Sequence, residues 1–409
     1  MAHTTLPGSS GTGPAARPAA ADRIPLLDVL RGAAILGTLM TNVWIFASPG
    51  SEASVLRGGL ALPDPLSDPS PATVAEAVFR FLADGKFLSL LTILFGVGLA
   101  IQYDSAARRG EPWPGRYPRR AAFLLLEGTV HFVLVFAWDV LMGYAVTALL
   151  TAWLLARSER VRRVAMWTAG SLHLALVGLV TVADLAGPDA GPEAPDAAAV
   201  ALYAHGGYPD QIRFRLEHAL ALRIEPVFSF GLLVFLFLLG VRLYRAGAFA
   251  PTAAGHRIRV RMAAWGLGLG LPLGAAAALG GPDLFVLGRY GLAPLIALGY
   301  IGLIGCLLDR CPALPGAAAL GRIGRTALSS YVGQNLLCML LCYGIGLGLA
   351  DRFAGSGPWW VMGLWAAVSL ALAAGSRLWL RRYARGPLEA VQHRALTARA
   401  GRAGRADRR

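Results

Sequence analysis

The chain has 409 residues, of which 56% are hydrophobic and 15% charged, with a mean hydropathy of +0.54. A soluble domain carries about a quarter charged residues, and so apolar a chain would lack the polar surface to cover a soluble core. This composition excludes a soluble enzyme and a disordered chain, and four cysteines (Cys306, Cys311, Cys338, Cys342) do not make a disulfide framework.

The formal net charge is +14, from 38 basic and 24 acidic residues, with Lys86 the single lysine. In a polytopic membrane protein such a surplus collects on the cytoplasmic side and needs no nucleic-acid partner.

Residues 1–22 are rich in Ala, Pro, Gly and Thr without an apolar run, which predicts a disordered cytoplasmic tail rather than a cleaved signal peptide. One transmembrane helical domain is expected over 23–397, followed by a basic cytoplasmic tail over 398–409. Windows of bilayer length place ten spans in that domain, at 27–47, 86–104, 119–137, 139–157, 163–185, 226–244, 262–280, 284–308, 326–349 and 358–380. The fold class is therefore all-α, a polytopic bundle. Its third and fourth spans meet in a tight turn at Trp138-Asp139.

With both termini cytoplasmic, the inner side holds 30 basic residues and the outer side eight: Arg57, Arg80, Lys86, Arg213, Arg215, Arg223, Arg289 and Arg352. Long outer loops are expected at 48–85 and 186–225, dotted with Pro and Gly. Charges stand just before the spans they lead into: Glu76, Arg80, Asp84 and Lys86 in one, Glu217, Arg223 and Glu225 in the other. Of these, Glu76, Asp84, Lys86 and Arg223 are candidates for the acceptor side of a site.

Small residues at four-residue spacing (Gly266, Gly270 and Gly274; Gly344 and Gly348) let helix backbones approach closely in lipid. Cys338 and Cys342 share a helix face with no ligand partner at metal spacing, so no metal site is expected. The segments 95–99 and 239–243 both carry a Gly-Val pair near a span end, which raises a weak suggestion of duplication.

Ionisable groups inside a span cost a few kcal/mol unless paired or hydrated, which makes the remaining ones informative. Asp28 and Arg31 open the first span three residues apart and can pair on one face. Asn42 lies three turns further along. Glu127 and His131, four apart, share a face of the third span, and Asp139 follows at the outer turn. A carboxylate beside an imidazole fixes its tautomer and raises its basicity, as a general base requires; a structural network would use the same residues. Ser329, Ser330, Tyr331, Gln334 and Asn335 open the ninth span and suit either a hydrated cavity or helix cross-bracing.

These stretches resemble the YeiB-like bacterial membrane proteins, a family of uncharacterised function. The matching residues are Leu27-Asp28-Val29-Leu30-Arg31-Gly32 running to Asn42, Asp84-Gly85-Lys86-Phe87, and Leu94-Phe95-Gly96-Val97-Gly98. They continue with Arg119-Arg120, Gly128, His131, Asp139-Val140-Leu141 and Tyr144-Ala145, then Gly321-Arg322, Thr326-Ala327-Leu328, Tyr331 and Gln334, and finally Gly386-Pro387-Leu388-Glu389, Arg394 and Leu396-Thr397.

The resemblance implies a fold related to the transmembrane acyltransferases, which move an acyl group from cytoplasmic acyl-CoA to an extracytoplasmic hydroxyl. In one branch of those enzymes an Arg in the first span is followed eleven residues later by a His. Arg31 matches the Arg, and Asn42 stands at the His position. Asn cannot act as a base, so either His131 supplies it from another helix or the chemistry is lost.

Two readings follow. In the first, a plasma-membrane acyltransferase without a bound cofactor uses Arg31, Arg119 and Arg120, with Arg108 and Arg109 nearby, to hold the phosphates of an acyl-CoA co-substrate. His131, oriented by Glu127 or Asp139, is then the base, and Asn42 donates to the oxyanion. In the second, a proton-coupled transporter or flippase-like protein uses Glu127 and His131 to handle protons. Convergence of Asn42, His131 and Asp139, joined to Arg31 by a tunnel, is the geometry the first reading requires.

Overall fold

The structure, a computed structural model, describes residues 23–56, 62–187 and 196–397. Both predicted tails, Arg57 and the middle of the second long loop lie outside these residues. Within them every regular element is helical, and each of the ten apolar segments overlaps at least one helix. Six helices are long and apolar enough to cross a membrane by length and composition: Pro25–Ala47, Pro71–Arg108, Glu159–Ala186, Ala253–Leu279, Pro282–Arg310 and Trp359–Arg382. Together with the composition, they mark the chain as a membrane protein. Two further apolar helices, Leu141–Leu155 and Ala327–Cys342, are shorter.

In chain order, α1 is Pro25–Ala47, α2 Ser51–Val55, α3 Pro71–Ala83, α4 Lys86–Arg108, α5 Tyr117–Leu134, α6 Leu141–Leu155 and α7 Glu159–Ala186. The second long loop carries α8 Ala197–Ala204, α9 Tyr208–Glu217, α10 Ala219–Leu222 and α11 Ile224–Phe228, and leads into α12 Phe230–Arg245. The final third holds α13 Ala253–Gly268, α14 Gly270–Leu279, α15 Ala293–Arg310, α16 Ala317–Arg325, α17 Ala327–Cys342, α18 Leu349–Arg352, α19 Trp359–Arg382 and α20 Pro387–Thr397.

Several expected spans are interrupted. The third ends at Leu134, not at 137, because the backbone N–H groups of Val135 and Phe136 both turn back to the carbonyl of His131. The seventh breaks between Gly268 and Gly270, one turn before Pro272, which has no N–H to continue the ladder. The eighth begins with a π-helical stretch, Leu287–Leu292, that carries Arg289. The ninth stops at Cys342, where Tyr343 turns extended. Within the two long loops, α2 and α3 in the first and α8 to α11 in the second form ordered helices packed on the bundle end.

The buried centre is built by α1, α4, α6, α12 and α15 around Leu30, Ile35, Leu90, Ile93, Tyr144, Phe237 and Ile301. A second apolar cluster fills the loop end, where Leu39, Phe46, Phe136, Tyr203, Tyr343 and Leu364 meet, together with Cys338 and Cys342. At the periphery, α7, α13 and α19 turn Leu172, Leu179, Trp265, Leu370 and Leu378 outward. Large exposed apolar faces of this kind suit acyl chains rather than water.

The similar segments at 95–99 and 239–243 have a packing explanation. A Cβ on Gly96 would stand 2.0 Å from the carbonyl oxygen of Phe237, and one on Gly240 would stand 2.1 Å from that of Ile93. Each glycine receives the other helix's backbone, so α4 and α12 cross without side chains between them. Gly266 on α13 makes the same kind of contact with Gly299 on α15.

Gly96→Val and Gly240→Val should each cost at least about 1–3 kcal/mol through overpacking, read as a lower thermal-unfolding midpoint in detergent. Gly178→Val should leave the midpoint unchanged, since nothing lies within 4 Å of the added carbon.

Candidate functional site

The polar centre begins on α5. His131 is buried, as are Asp139 in the α5–α6 turn and Asn335 on α17. Asp139 Oδ2 lies 2.9 Å from His131 Nδ1. Its other oxygen, Oδ1, accepts the N–H groups of Leu141 at 2.9 Å and Met142 at 3.4 Å, at the opening of α6. In the tautomer with the proton on His131 Nδ1, that N–H donates to Asp139 Oδ2 and the lone pair stands on Nε2. Nε2 faces the Asn335 amide nitrogen at 3.3 Å, and Asn335 Oδ1 accepts from the Asn42 amide at 3.2 Å. The sequence-derived residues Asn42, His131 and Asp139 thus lie on one hydrogen-bonded chain, with Asn335 as the link that spacing alone did not supply. Gly128 makes room for it: a Cβ there would stand 2.8 Å from Met142 N and 2.9 Å from Asp139 Oδ1.

Glu127 is not the orienting carboxylate. Both ring nitrogens of His131 are occupied by Asp139 and Asn335, and the buried Glu127 oxygens have no hydrogen-bond partner.

The turn carrying Asp139 is clamped from the loop end. Glu52 and Arg215 are fully buried, with Arg215 Nε donating to Glu52 Oε2 at 2.8 Å. Glu52 also accepts from the Ala137 N–H at 2.9 Å and from the Tyr203 hydroxyl at 2.8 Å. Burial first, and then the neighbouring Glu52 carboxylate, push the Tyr203 hydroxyl well above its ordinary pKa, so it remains a donor. Arg215 donates further to the carbonyls of Val133 and Val135, and Arg223 donates to those of Ala137 and Asp139. The Arg223 guanidinium also sits 4.2 Å from the Phe132 ring centre. Glu52 and Arg215 escaped sequence reasoning because 163 residues separate them and neither stands in an expected span.

Of the regions of empty space beside this centre, two hold the candidate donor and acceptor residues. The larger, about 300 Å³, is walled by Ile35, Leu91, Leu94, Phe95, Leu124 and Leu141, with Arg31, Arg120 and Arg325 among its polar lining. Arg31 is paired with Asp28 at 3.5 Å, whereas Arg120 and Arg325 have no acidic partner within 4.0 Å among the described residues. Glu389 of α20 also borders the cavity; it accepts the N–H groups of Leu328 and Ser329 and so caps α17. Arg119 does not line this cavity. It precedes Arg120 by one residue on α5, which turns it about 100° around the helix at 3.6 residues per turn.

The smaller space, about 40 Å³, lies toward the loops and is lined by Thr38, Thr41, Asn42, Trp138, Glu225, Arg289 and Tyr331 among others. Glu225 accepts from Arg289 at 3.1 Å and from the Tyr290 hydroxyl at 2.7 Å.

The remaining acceptor-side candidates do not line this space, although Asp84 lies 4.0 Å from Arg289 at its edge. Glu76 pairs with Arg80 at 3.1 Å, and Lys86 lies 4.3 Å from the Phe81 ring centre. Asp84 and Lys86 border a separate groove beside Gly274 and Phe285. His256, Cys306 and Asp309 bring ligand-type atoms within 4.8 Å of one another, although His256 precedes the other two by 50 and 53 residues. Arg259 already binds both Asp309 oxygens, at 2.8 and 2.9 Å, which makes this an ion-pair cluster.

The clamp is open to a direct test. Glu52→Gln or Arg215→Met alone should cost about 3–5 kcal/mol by stranding a buried charge, and the double variant should recover part of that loss. A double-mutant cycle on unfolding in detergent reads the coupling.

Residues 243–399 match a family described as protein of unknown function (DUF418). The chain is 27% identical over 387 residues to the uncharacterized protein YxaH of Bacillus subtilis (strain 168), covering 90% of this chain and 92% of that protein. It is 28% identical over 404 residues to the uncharacterized protein YeiB of Escherichia coli (strain K12), covering 93% and 97%. An uncharacterized 39.9 kDa protein in the amylase 3′ region of Bacillus acidopullulyticus is 30% identical over 112 residues, 27% of this chain and 28% of that one. These similarities support the YeiB-like resemblance carried by the motifs.

Proposed function

We propose that the protein is a plasma-membrane acyltransferase with ten spans and both termini in the cytoplasm, moving an acyl group from cytoplasmic acyl-CoA to an extracytoplasmic hydroxyl. The observation that carries this reading is the Asp139–His131–Asn335–Asn42 chain lying between an arginine-lined apolar cavity and a small polar pocket. Arg31, Arg120 and Arg325 suit the donor's phosphates, and the apolar walls suit its acyl arm.

In this reading the acceptor hydroxyl enters beside Asn42 and replaces Asn335 at His131 Nε2. The imidazole takes the hydroxyl proton while the oxygen attacks the thioester carbonyl. The tetrahedral oxyanion receives a hydrogen bond from the Asn42 amide. The C–S bond then breaks, and the imidazolium returns its proton to the departing thiolate. Asp139 holds the ring in the Nδ1–H tautomer and stabilises the transient cation.

One observation favours proton-coupled transport instead. Glu127 carries a buried carboxyl group without a hydrogen-bond partner, a form that proton carriers in membranes use.

The two readings separate in vesicles of native membrane supplied with acyl-CoA. Release of the coenzyme A thiol is expected from the wild type, with a fall of about 10²–10⁴ in His131→Ala, the range of a lost general base. Glu127→Gln should release thiol normally. Undiminished release from His131→Ala would contradict the assignment. Solute accumulation driven by a pH gradient, with no thiol released, would select transport.

A further inference from the structure

We infer that the side chain of Tyr331 is the barrier between the two spaces, a single-residue gate through which the site's inner and outer halves communicate. The reasoning rests on which residues face which space. Of the residues lining the inner cavity and the loop-side pocket, Tyr331 is the one that borders both. A second loop-side space lies beside the small pocket and shares Gly85, Leu88, Trp138, Val140, Glu225 and Arg289 with it; it shares no lining residue with the inner cavity.

Three helices change sides at the same level. On α1 the inner cavity ends at Ile35 and the pocket begins at Thr38, about 4.5 Å along the axis at 1.5 Å per residue. On α4 the change falls between Leu91 and Leu88, and at the start of α6 between Leu141 and Val140. The Tyr331 ring crosses the bundle at this level. It is buried, with its centre 5.5 Å from that of His131. Tyr331 packs there with Ile35, Leu91 and Leu141, its hydroxyl at the Val140 backbone, and it alone of the lining residues faces both spaces. Its two side-chain torsions are the degrees of freedom by which the ring would leave that place.

This placement deepens the proposed function, because an acyl donor held by Arg31 and Arg120 meets Tyr331 between its cavity and the Asn42 pocket. It stands equally for a transported solute. The test uses no donor, so its failure and the failure of acyl transfer are separately visible.

Thr41→Cys places a thiol in the loop-side pocket and Ile35→Cys one in the inner cavity. Sealed vesicles of each orientation are treated with a small membrane-impermeant methanethiosulfonate, and the modified peptide is located by mass spectrometry, which separates it from the native cysteines. With Tyr331 present, Thr41→Cys should react from the loop side and Ile35→Cys from the Arg31 side. Adding Tyr331→Ala should raise labelling of Thr41→Cys from the Arg31 side about tenfold or more, the factor expected when an open state populated at ~10% or less becomes permanent. Tyr331→Phe should retain the barrier.

Unchanged Arg31-side labelling of Thr41→Cys in Tyr331→Ala, with loop-side labelling intact, would overturn the inference. So would equal labelling of Ile35→Cys from both sides while Tyr331 is present, a measurement that holds even if Tyr331→Ala fails to assemble.

Discussion

A carboxylate inside an apolar bundle persists only if its charge is shared among donors that cannot leave it, and Asp139 meets that condition. One oxygen is held by the first amides of α6, a helix end whose dipole favours negative charge. The other is held by the imidazole of His131. From this one carboxylate the rest of the centre follows. The ring's tautomer is set, its second nitrogen turns toward Asn335, and Asn335 turns toward Asn42. The turn between α5 and α6 must hold its shape for any of this to persist, and Glu52, Arg215 and Arg223 satisfy its carbonyl and amide groups from the loop end.

That arrangement gives the bundle a direction. Cations and apolar walls line the inner cavity. Hydroxyls, an amide, an indole and a Glu–Arg pair line the loop-side pocket. The asymmetry suits a reaction or a passage that takes an anionic amphiphile from one side and a polar partner from the other. Asn42 fits such a centre although it cannot act as a base, because the base can be supplied from α5 instead. The first span then contributes a hydrogen-bond donor rather than a proton acceptor. The similarity to YxaH and YeiB, which runs nearly end to end, makes the same constellation a question for those proteins too.

Much of the helical framework was legible in the sequence because lipid leaves few alternatives: long apolar windows must be largely helical, and all ten overlap helices, although six helices are long and apolar enough to span among the described residues. Polar residues inside those windows were legible for the same reason, which is how Asn42, His131 and Asp139 stood out. What composition could not give was partnership across the bundle. Asn335 looked like one amide in a polar row, yet it bonds His131 across 204 residues. Glu52 lies in a stretch that reads as loop, and only the packing of α2 against α8 and α9 reveals it as a clamp. Arg119 and Arg120 read alike as neighbours, although a helix sends successive side chains to different faces. The break after Gly268 and the π-helical start of the eighth segment follow from local hydrogen bonding that an apolar window averages away.

The central claim is the protonation pattern of one ring, and nitrogen NMR of the protein with labelled histidine side chains in detergent measures it directly. The chain has seven histidines, so a His131→Gln difference spectrum identifies the signals of interest. The account predicts a proton on Nδ1 and an unprotonated Nε2 near neutral pH, with that preference lost in Asp139→Asn. An Nε2–H tautomer in the unaltered protein, or a spectrum indifferent to Asp139, would contradict it.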